Sequence, residues 1–157
     1  MASILKVDAI QTTAGKPIVH STGSVLQVVQ ETLNLTSGTT SGTSSFATYI
    51  TKAITPSSTS SKILILATLN AYTVYSGWDG PQSKGRLLRG TTAIADNSFY
   101  YARTNVNANK YHATDQNITY LDTPNTASEV TYNLQAKYDA GSSITFYNGF
   151  LTLIEVA

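Results

Sequence analysis

The chain has 157 residues, no cysteine, 12% charged residues and a formal net charge of +1. A chain of this length buries a core without covalent staples, and the missing thiols exclude disulfides, thiolate metal sites and a cysteine nucleophile. The small net charge supplies no long-range field to gather nucleic acid or an anionic membrane. Polarity is carried instead by Ser, Thr, Asn and ten tyrosines, residue types that favour strands and turns.

The opening MASILKVDAIQ does not read as a secretory leader, because Lys6 and Asp8 interrupt its apolar stretch. Nor does any apolar run approach the roughly 20 residues of a membrane-spanning helix. Residues 1–24 are expected to form an arm, in which Ile4, Leu5, Val7 and Ile10 precede the turn-rich Gly15, Pro17 and Gly23. So short a segment cannot bury its own apolar side chains; the main domain or neighbouring copies must cover them.

The remainder, 25–157, reads as a head of short strands. Val25 to Leu35 fits a helix through Leu26, Val29 and Leu33, but also a strand with Val25, Val29, Leu33 and Leu35 on one face. Its β-branched content favours the strand. The low-complexity stretch TSGTTSGTSS at 36–45 is expected to be a loop. A short strand follows at Thr48–Ile54, then the loop TPSSTSS. Lys62 to Tyr75 is the strongest strand; ILILA at 63–67 is apolar on both faces and is expected at the centre of the fold. Gly77 to Pro81 is dense turn punctuation. RLLR and AIA flank Gly90-Thr91-Thr92, the pattern of a three-residue hairpin loop. Short strands are expected at Phe99–Thr104 and Ile118–Thr123, with an Asn-rich loop between them. Val130, Tyr132, Leu134, Ala136 and Tyr138 alternate with polar neighbours, as in a strand with one wet face. Asp139 to Ser142 turns the chain, and Ile144–Tyr147 and Phe150–Val156 complete the set. The apolar FLTLIEV at the C-terminal end is expected to be tied into a sheet. Eight or nine short strands without a convincing long helix give an all-β fold, a jelly-roll-like antiparallel sandwich.

No familiar catalytic pattern is present. His20 and His112 have no nucleophile elbow to serve, Ser3 to Lys6 matches SxxK without its partner motifs, and Gly15-Lys16 lacks the earlier glycine of a phosphate loop. Asp79, Asp96, Asp115, Asp122 and Asp139 are expected in solvated turns, with no metal-ligand spacing among them. Lys84, Arg86 and Arg89 form a small basic cluster, expected on a strand's solvated edge rather than as a nucleic-acid site. Asn34 and Asn117 match the glycosylation sequon, which in so Asn- and Thr-rich a chain carries little. The sharper candidates are aromatic. Tyr72, Tyr75 and Trp78 lead into Asp79 and Gly80, and Tyr100, Tyr101, Tyr111 and His112 lie near another loop. Such rings stack on sugars while neighbouring Asp and Asn bond hydroxyls, although cores and subunit seams use the same residues. Tyr72, Tyr75, Trp78, Asp79 and Tyr111 are therefore candidate receptor contacts.

The stretches ASILKVDAIQTTAGKPIV, TGSVLQVVQ, ITPSSTSSKILILATLNAY, LLRGTTAIAD and FLTLIEVA, in this order and spacing, resemble phage tail-fibre and appendage proteins of the marine podophage type. The resemblance covers nearly the whole chain. It implies a homotrimeric appendage at the virion surface, whose N-terminal part attaches or intertwines and whose β head points outward. Beside it stands a physical argument: a closed symmetric assembly lets Ile4, Leu5, Val7 and Ile10 be buried against each other or against a neighbour's head. Other virion proteins are the expected attachment partners and, from the aromatics, a host glycan is a candidate one; neither enzymatic activity nor a cofactor is expected. The chain has no long shaft, which turns the expectation from a long-reach fibre to a short tip or knob; the alternatives are a capsid decoration protein and a free carbohydrate-binding module. Neither nucleic acid nor membrane insertion is expected.

Overall fold

A computed structural model describes residues 23–40, 45–75, 82–100, 110–140 and 143–157. Residues 1–22 of the expected arm, Trp78, Asp79, Tyr101 and the turn at Gly141–Ser142 lie outside them. Eight strands follow in order: β1 (Val25–Thr40), β2 (Ala47–Ile54), β3 (Lys62–Tyr75), β4 (Gln82–Arg89), β5 (Thr92–Tyr100), β6 (Lys110–Asp122), β7 (Val130–Ala140) and β8 (Ser143–Val156). They form two antiparallel sheets, β1-β8-β3-β6 and β2-β7-β4-β5. Strand 1 pairs with 8, 2 with 7, 3 with 6 and 4 with 5. The chain is thus one long hairpin rolled up on itself, the eight-stranded jelly roll.

The tip of that hairpin is the turn at Gly90. Arg89 pairs with Thr92, so the loop is two residues rather than the expected three. Gly90 has φ of 59°, and a glycine at the first central position is what a type II′ turn requires. Its N–H bonds the Thr131 carbonyl at 2.8 Å, which fastens the tip to β7.

Alternation builds the core. On β3, Ile63, Ile65, Ala67, Leu69 and Ala71 point inward at 0–3% exposure. From β7 come Val130, Tyr132, Leu134 and Ala136, and from β8 Phe146, Leu151 and Leu153. The Tyr49 and Phe146 rings meet at 4.4 Å between centroids. β3 lies between β8 and β6, so its expected central place is observed.

The departures from expectation have physical causes. Residues 36–40 belong to β1, not to a loop: Thr39 and Thr40 pair with Phe146 and Thr145 beyond an irregularity in register. A second shift between Val25 and Gln27 takes Val25 off the face of Val29 and Leu33 and leaves it 60% exposed. Strand β6 begins at Lys110, well before Ile118, because its backbone follows β3 without a break from Tyr75↔Lys110 to Ile63↔Asp122. Strand β5 ends at Tyr100, and 101–104 lie outside the described residues. The two expected C-terminal strands are one, β8, with a bulge at Tyr147 where Asn70↔Asn148 gives way to Ala71↔Phe146. A bulge moves every later side chain to the other face, which is why the apolar pattern reads as broken there.

Just past the bulge, Gly149 lies against β3. A Cβ there would press on the Thr68 carbonyl oxygen and come 3.2 Å from the Leu69 Cα. Both are backbone atoms of a central strand and cannot swing away. Gly149→Ala is expected to cost about 3 kcal/mol, read as a lower urea midpoint at unchanged m-value; a loss under about 0.5 kcal/mol, the scale of an ordinary surface change, would show that β8 shifts freely.

Candidate functional site

The topology gives the head two ends. At one, the base, lie the turn at Gly90, segments 55–61 and 123–129, and both ends of the described chain, where Gly23 N–H bonds the Ala157 carbonyl at 3.0 Å and Ala157 N–H bonds the Ser24 carbonyl at 3.0 Å. At the other, the crown, segments 41–46, 76–81, 101–109 and 141–142 connect the strands. β3, with 14 residues, separates base from crown by about 45 Å.

This arrangement sorts the candidate residues. Register sets Val74 opposite Tyr111, Tyr72 opposite Ala113 and Tyr75 opposite Lys110. Tyr72, Tyr75 and Tyr111 therefore share the crown end of β3 and β6, and the segment carrying Trp78 and Asp79 connects β3 to β4 at that same end. The side chains of all five, like Ile4, Leu5, Val7 and Ile10, lie outside what the structure describes.

Two buried carboxylates lock the base. Asp122, on β6, is not in a solvated turn. It faces inward at 5% exposure, accepts hydrogen bonds from Arg89 Nη1 at 3.0 and 3.2 Å, and accepts the Tyr132 hydroxyl at 2.7 Å. Arg89 and Tyr132 belong to the opposite sheet, so this cluster bolts the two sheets together. Burial, then the hydrogen bond and charge of Asp122, push the Tyr132 phenol well above the usual tyrosine range. It therefore stays a neutral donor. Arg89 is accordingly not on a solvated edge, and β4 lies between β7 and β5.

Glu155, fully buried on β8, accepts Ser57 N–H at 2.6 Å on one oxygen, and Gln27 Nε2 at 2.6 Å and Ser57 Oγ at 3.2 Å on the other. Burial alone would raise its pKa. The opposing effects of Gln27, of the Ser61 side chain and of the Ser57 backbone and hydroxyl prevail and lower it; the Ser61 hydroxyl acts as a nearby dipole without an ordinary hydrogen-bond geometry. Gln27 also donates to the Thr55 carbonyl at 2.7 Å. One carboxylate thus ties β8, β1 and the 55–61 loop.

The outer faces are polar for most of their length, knitted by side-chain hydrogen bonds between neighbouring strands. On the first sheet Thr68 bonds Asn117, Asn70 bonds Asp115 and Gln30 bonds Thr152. On the second Thr51 bonds Asn133, and Arg86 bonds Gln135 while lying 3.9 Å over the Phe46 ring. With Arg86 stacked and Arg89 bridged, the basic cluster does not converge into a site. Leu66 and Phe150 also lie on the outer face of the first sheet, paired with Thr119 and Thr68, and its most apolar stretch is toward the base. There Val28 pairs with Ile154, Ile154 with Leu64, and Leu64 with Leu121, one apolar row across all its strands. Val28 is 56% and Leu121 51% exposed.

Sequence reasoning passed over Glu155 and this row. The signal for Glu155 was its place on the inward parity of Leu151 and Leu153, where an unpaired charge is too costly to bury. Part of the row was signalled by ILILA, whose apolar second face is Leu64 and Leu66; its continuation through Val28, Ile154 and Leu121 exists only through register.

No protein-family model and no curated protein matches the chain. Among solved structures it is similar to the VP2 subviral particle of infectious bursal disease virus, at 11% identity and TM-score 0.46 over 94% of this chain and 37% of that one. It is also similar to dimeric latent PorU from Porphyromonas gingivalis, at 12% identity and TM-score 0.47 over 93% and 14%, and to the Gx strain of infectious bursal disease virus, at 12% and 0.43 over 96% and 42%. This chain spans less than half the length of each. At such scores these likenesses carry no argument about function.

Proposed function

We propose that the chain is a virion-surface protein that works as a homotrimer, a short appendage or knob held to the particle by residues 1–24 and presenting its crown outward. The observation that carries this reading is polarity. The arm joins the head at the base, beside the paired Gly23 and Ala157, and the tyrosine-bearing segments stand about 45 Å away at the crown. An attachment protein needs that division: one end fastened, the other free to meet a surface. The buried carboxylate clusters stiffen the fastened end. The sequence resemblance to phage appendage proteins supports the same assignment, and a closed symmetric assembly gives the apolar arm residues a place to be buried.

Native mass measurement of the full chain tests it directly. A trimer that also binds phage particles is the expected result; a stable monomer without affinity for particles would overturn the assignment. The location and copy number on the virion separate a tail knob from a capsid decoration. Within the trimer, Trp78→Ala is expected to reduce adsorption to host cells by roughly tenfold, the loss of one aromatic stacking contact of about 1–2 kcal/mol. Unchanged adsorption would remove the crown aromatics from receptor binding.

A further inference from the structure

We infer that the apolar row Val28–Ile154–Leu64–Leu121 on the outer face of the first sheet is the seat for the Ile4–Ile10 segment of a neighbouring copy of this chain. The inference rests on the trimer reading and names the surface through which that trimer closes.

Three observations carry it. The row is the apolar end of its own face: Leu66 stands next to it toward the crown and Phe150 beside Thr68, followed by the bonded polar pairs Thr68 with Asn117 and Asn70 with Asp115, whereas the row is aliphatic on every strand, with Val28 and Leu121 more than half exposed. Val25, 60% exposed, extends it toward the chain's own entry into β1. A contiguous apolar patch with exposed aliphatic side chains marks a contact.

The second observation is chemical match. Ile4, Leu5, Val7 and Ile10 fall within seven consecutive residues containing neither Gly nor Pro. They require apolar cover. Lys6 and Asp8 between them carry opposite charges, so the segment brings no net charge to a neutral aliphatic surface.

The third is reach. The arm joins the head at Gly23, and Val25 pairs with Val156 one step from the Val28–Ile154 pair. Residues 11–22 extend to about 40 Å. The row itself spans about 15 Å across its strands. At full extension the spacer covers the roughly 35–40 Å breadth of a head this size, so the row of an adjoining copy lies within its reach.

The cysteine-free sequence allows a clean test in the full-length chain. Two differently tagged versions are co-expressed, one carrying Val7→Cys or Leu5→Cys and the other Leu121→Cys or Leu64→Cys, and mild oxidation is followed by non-reducing electrophoresis. Disulfide-linked species containing both tags are expected, and neither version alone should form them. If both cysteines placed in one chain close internally while the mixed pair stays unlinked, the arm folds onto its own head and the inference falls. As an independent readout, Val28→Asp with Leu121→Asp, at positions exposed enough to leave the fold intact by circular dichroism, is expected to lower the native mass threefold, from trimer to monomer. A folded double variant that remains trimeric overturns the seat while leaving the trimer standing. A wild-type chain that is itself monomeric overturns the trimer reading beneath it.

Discussion

Asp122→Ala is expected to destabilise the head by about 3–5 kcal/mol, the usual cost of removing one partner from a buried charge pair. The side chain of Asp122 is 6% exposed and that of Arg89 is 35% exposed. Water therefore reaches part of the orphaned guanidinium and places the cost nearer 3 than 5. The larger injury is to Tyr132, fully buried, whose hydroxyl donates to Asp122 at 2.7 Å and would lose that acceptor inside the core. Asp122→Asn keeps an oxygen in reach of the phenol and should lose about half as much. Tyr132→Phe removes donor and demand together and should cost about 1 kcal/mol. Urea unfolding at a single protein concentration measures the series, because the stability of an oligomer depends on concentration. A loss below 1 kcal/mol for Asp122→Ala would mean that the sheets are held by apolar packing alone. The Tyr132 phenol adds a pH signature. Its folded pKa is raised, so its contribution is complete below the unfolded value near 10 and declines as pH rises beyond it. The Tyr132→Phe variant should lack that alkaline decline.

The residues that made the fold legible are those whose own pattern states their environment. Lys62 to Tyr75 is recognisable because ILILA leaves no polar face, and Val130 to Tyr138 because every second residue is apolar. The hairpin at Gly90 announces itself through a glycine where φ must be positive. The segments misread are those held by backbone pairing rather than by side chains. Thr39 and Thr40 look like linker and yet pair with β8; Tyr111 to Gln116 look like part of an Asn-rich loop and yet continue β6 along β3. Hydrogen bonds between peptide groups leave no mark in composition. The bulges at Leu26 and Tyr147 are equally silent, and each reverses which residues face the core. At the functional level, the sequence raised the expectation of an arm in need of cover but not the row that we propose covers it, since Val28, Leu64, Leu121 and Ile154 come from different strands and meet only once register is fixed.

Glu155 makes the base acid-sensitive. Burial pushes its folded pKa up, but the donors from Gln27 and Ser57, with the nearby Ser61 dipole, outweigh it and hold the pKa down. A depressed carboxylate stabilises the fold at pH above its unfolded value, 4.5, and the contribution is lost as pH falls through the lower folded value. The wild-type urea midpoint should therefore hold from pH 7 to about 5 and fall steeply below, while Glu155→Gln, with no proton to gain there, should start lower and decline less. Parallel curves would assign the acid loss to other groups. Glu155→Ala is more severe. It strands the Ser57 N–H and the Gln27 amide at a fully buried position and should cost about 3 kcal/mol. The loss is local before it is global: with the anchor gone, the 55–61 loop separates from β8 and the Gln27 turn of β1 loosens. Hydrogen exchange should then quicken first at Ser57 and at the Gly23 and Ala157 amides, ahead of the β3 interior. Those amides stand where the arm departs. On the reading proposed for the arm, a frayed base widens the range of directions in which residues 11–22 leave the head, so Glu155→Ala should weaken trimer association even at temperatures where each head stays folded. Faster exchange at the base with an unchanged trimer dissociation constant would show that the arm's departure angle is set elsewhere.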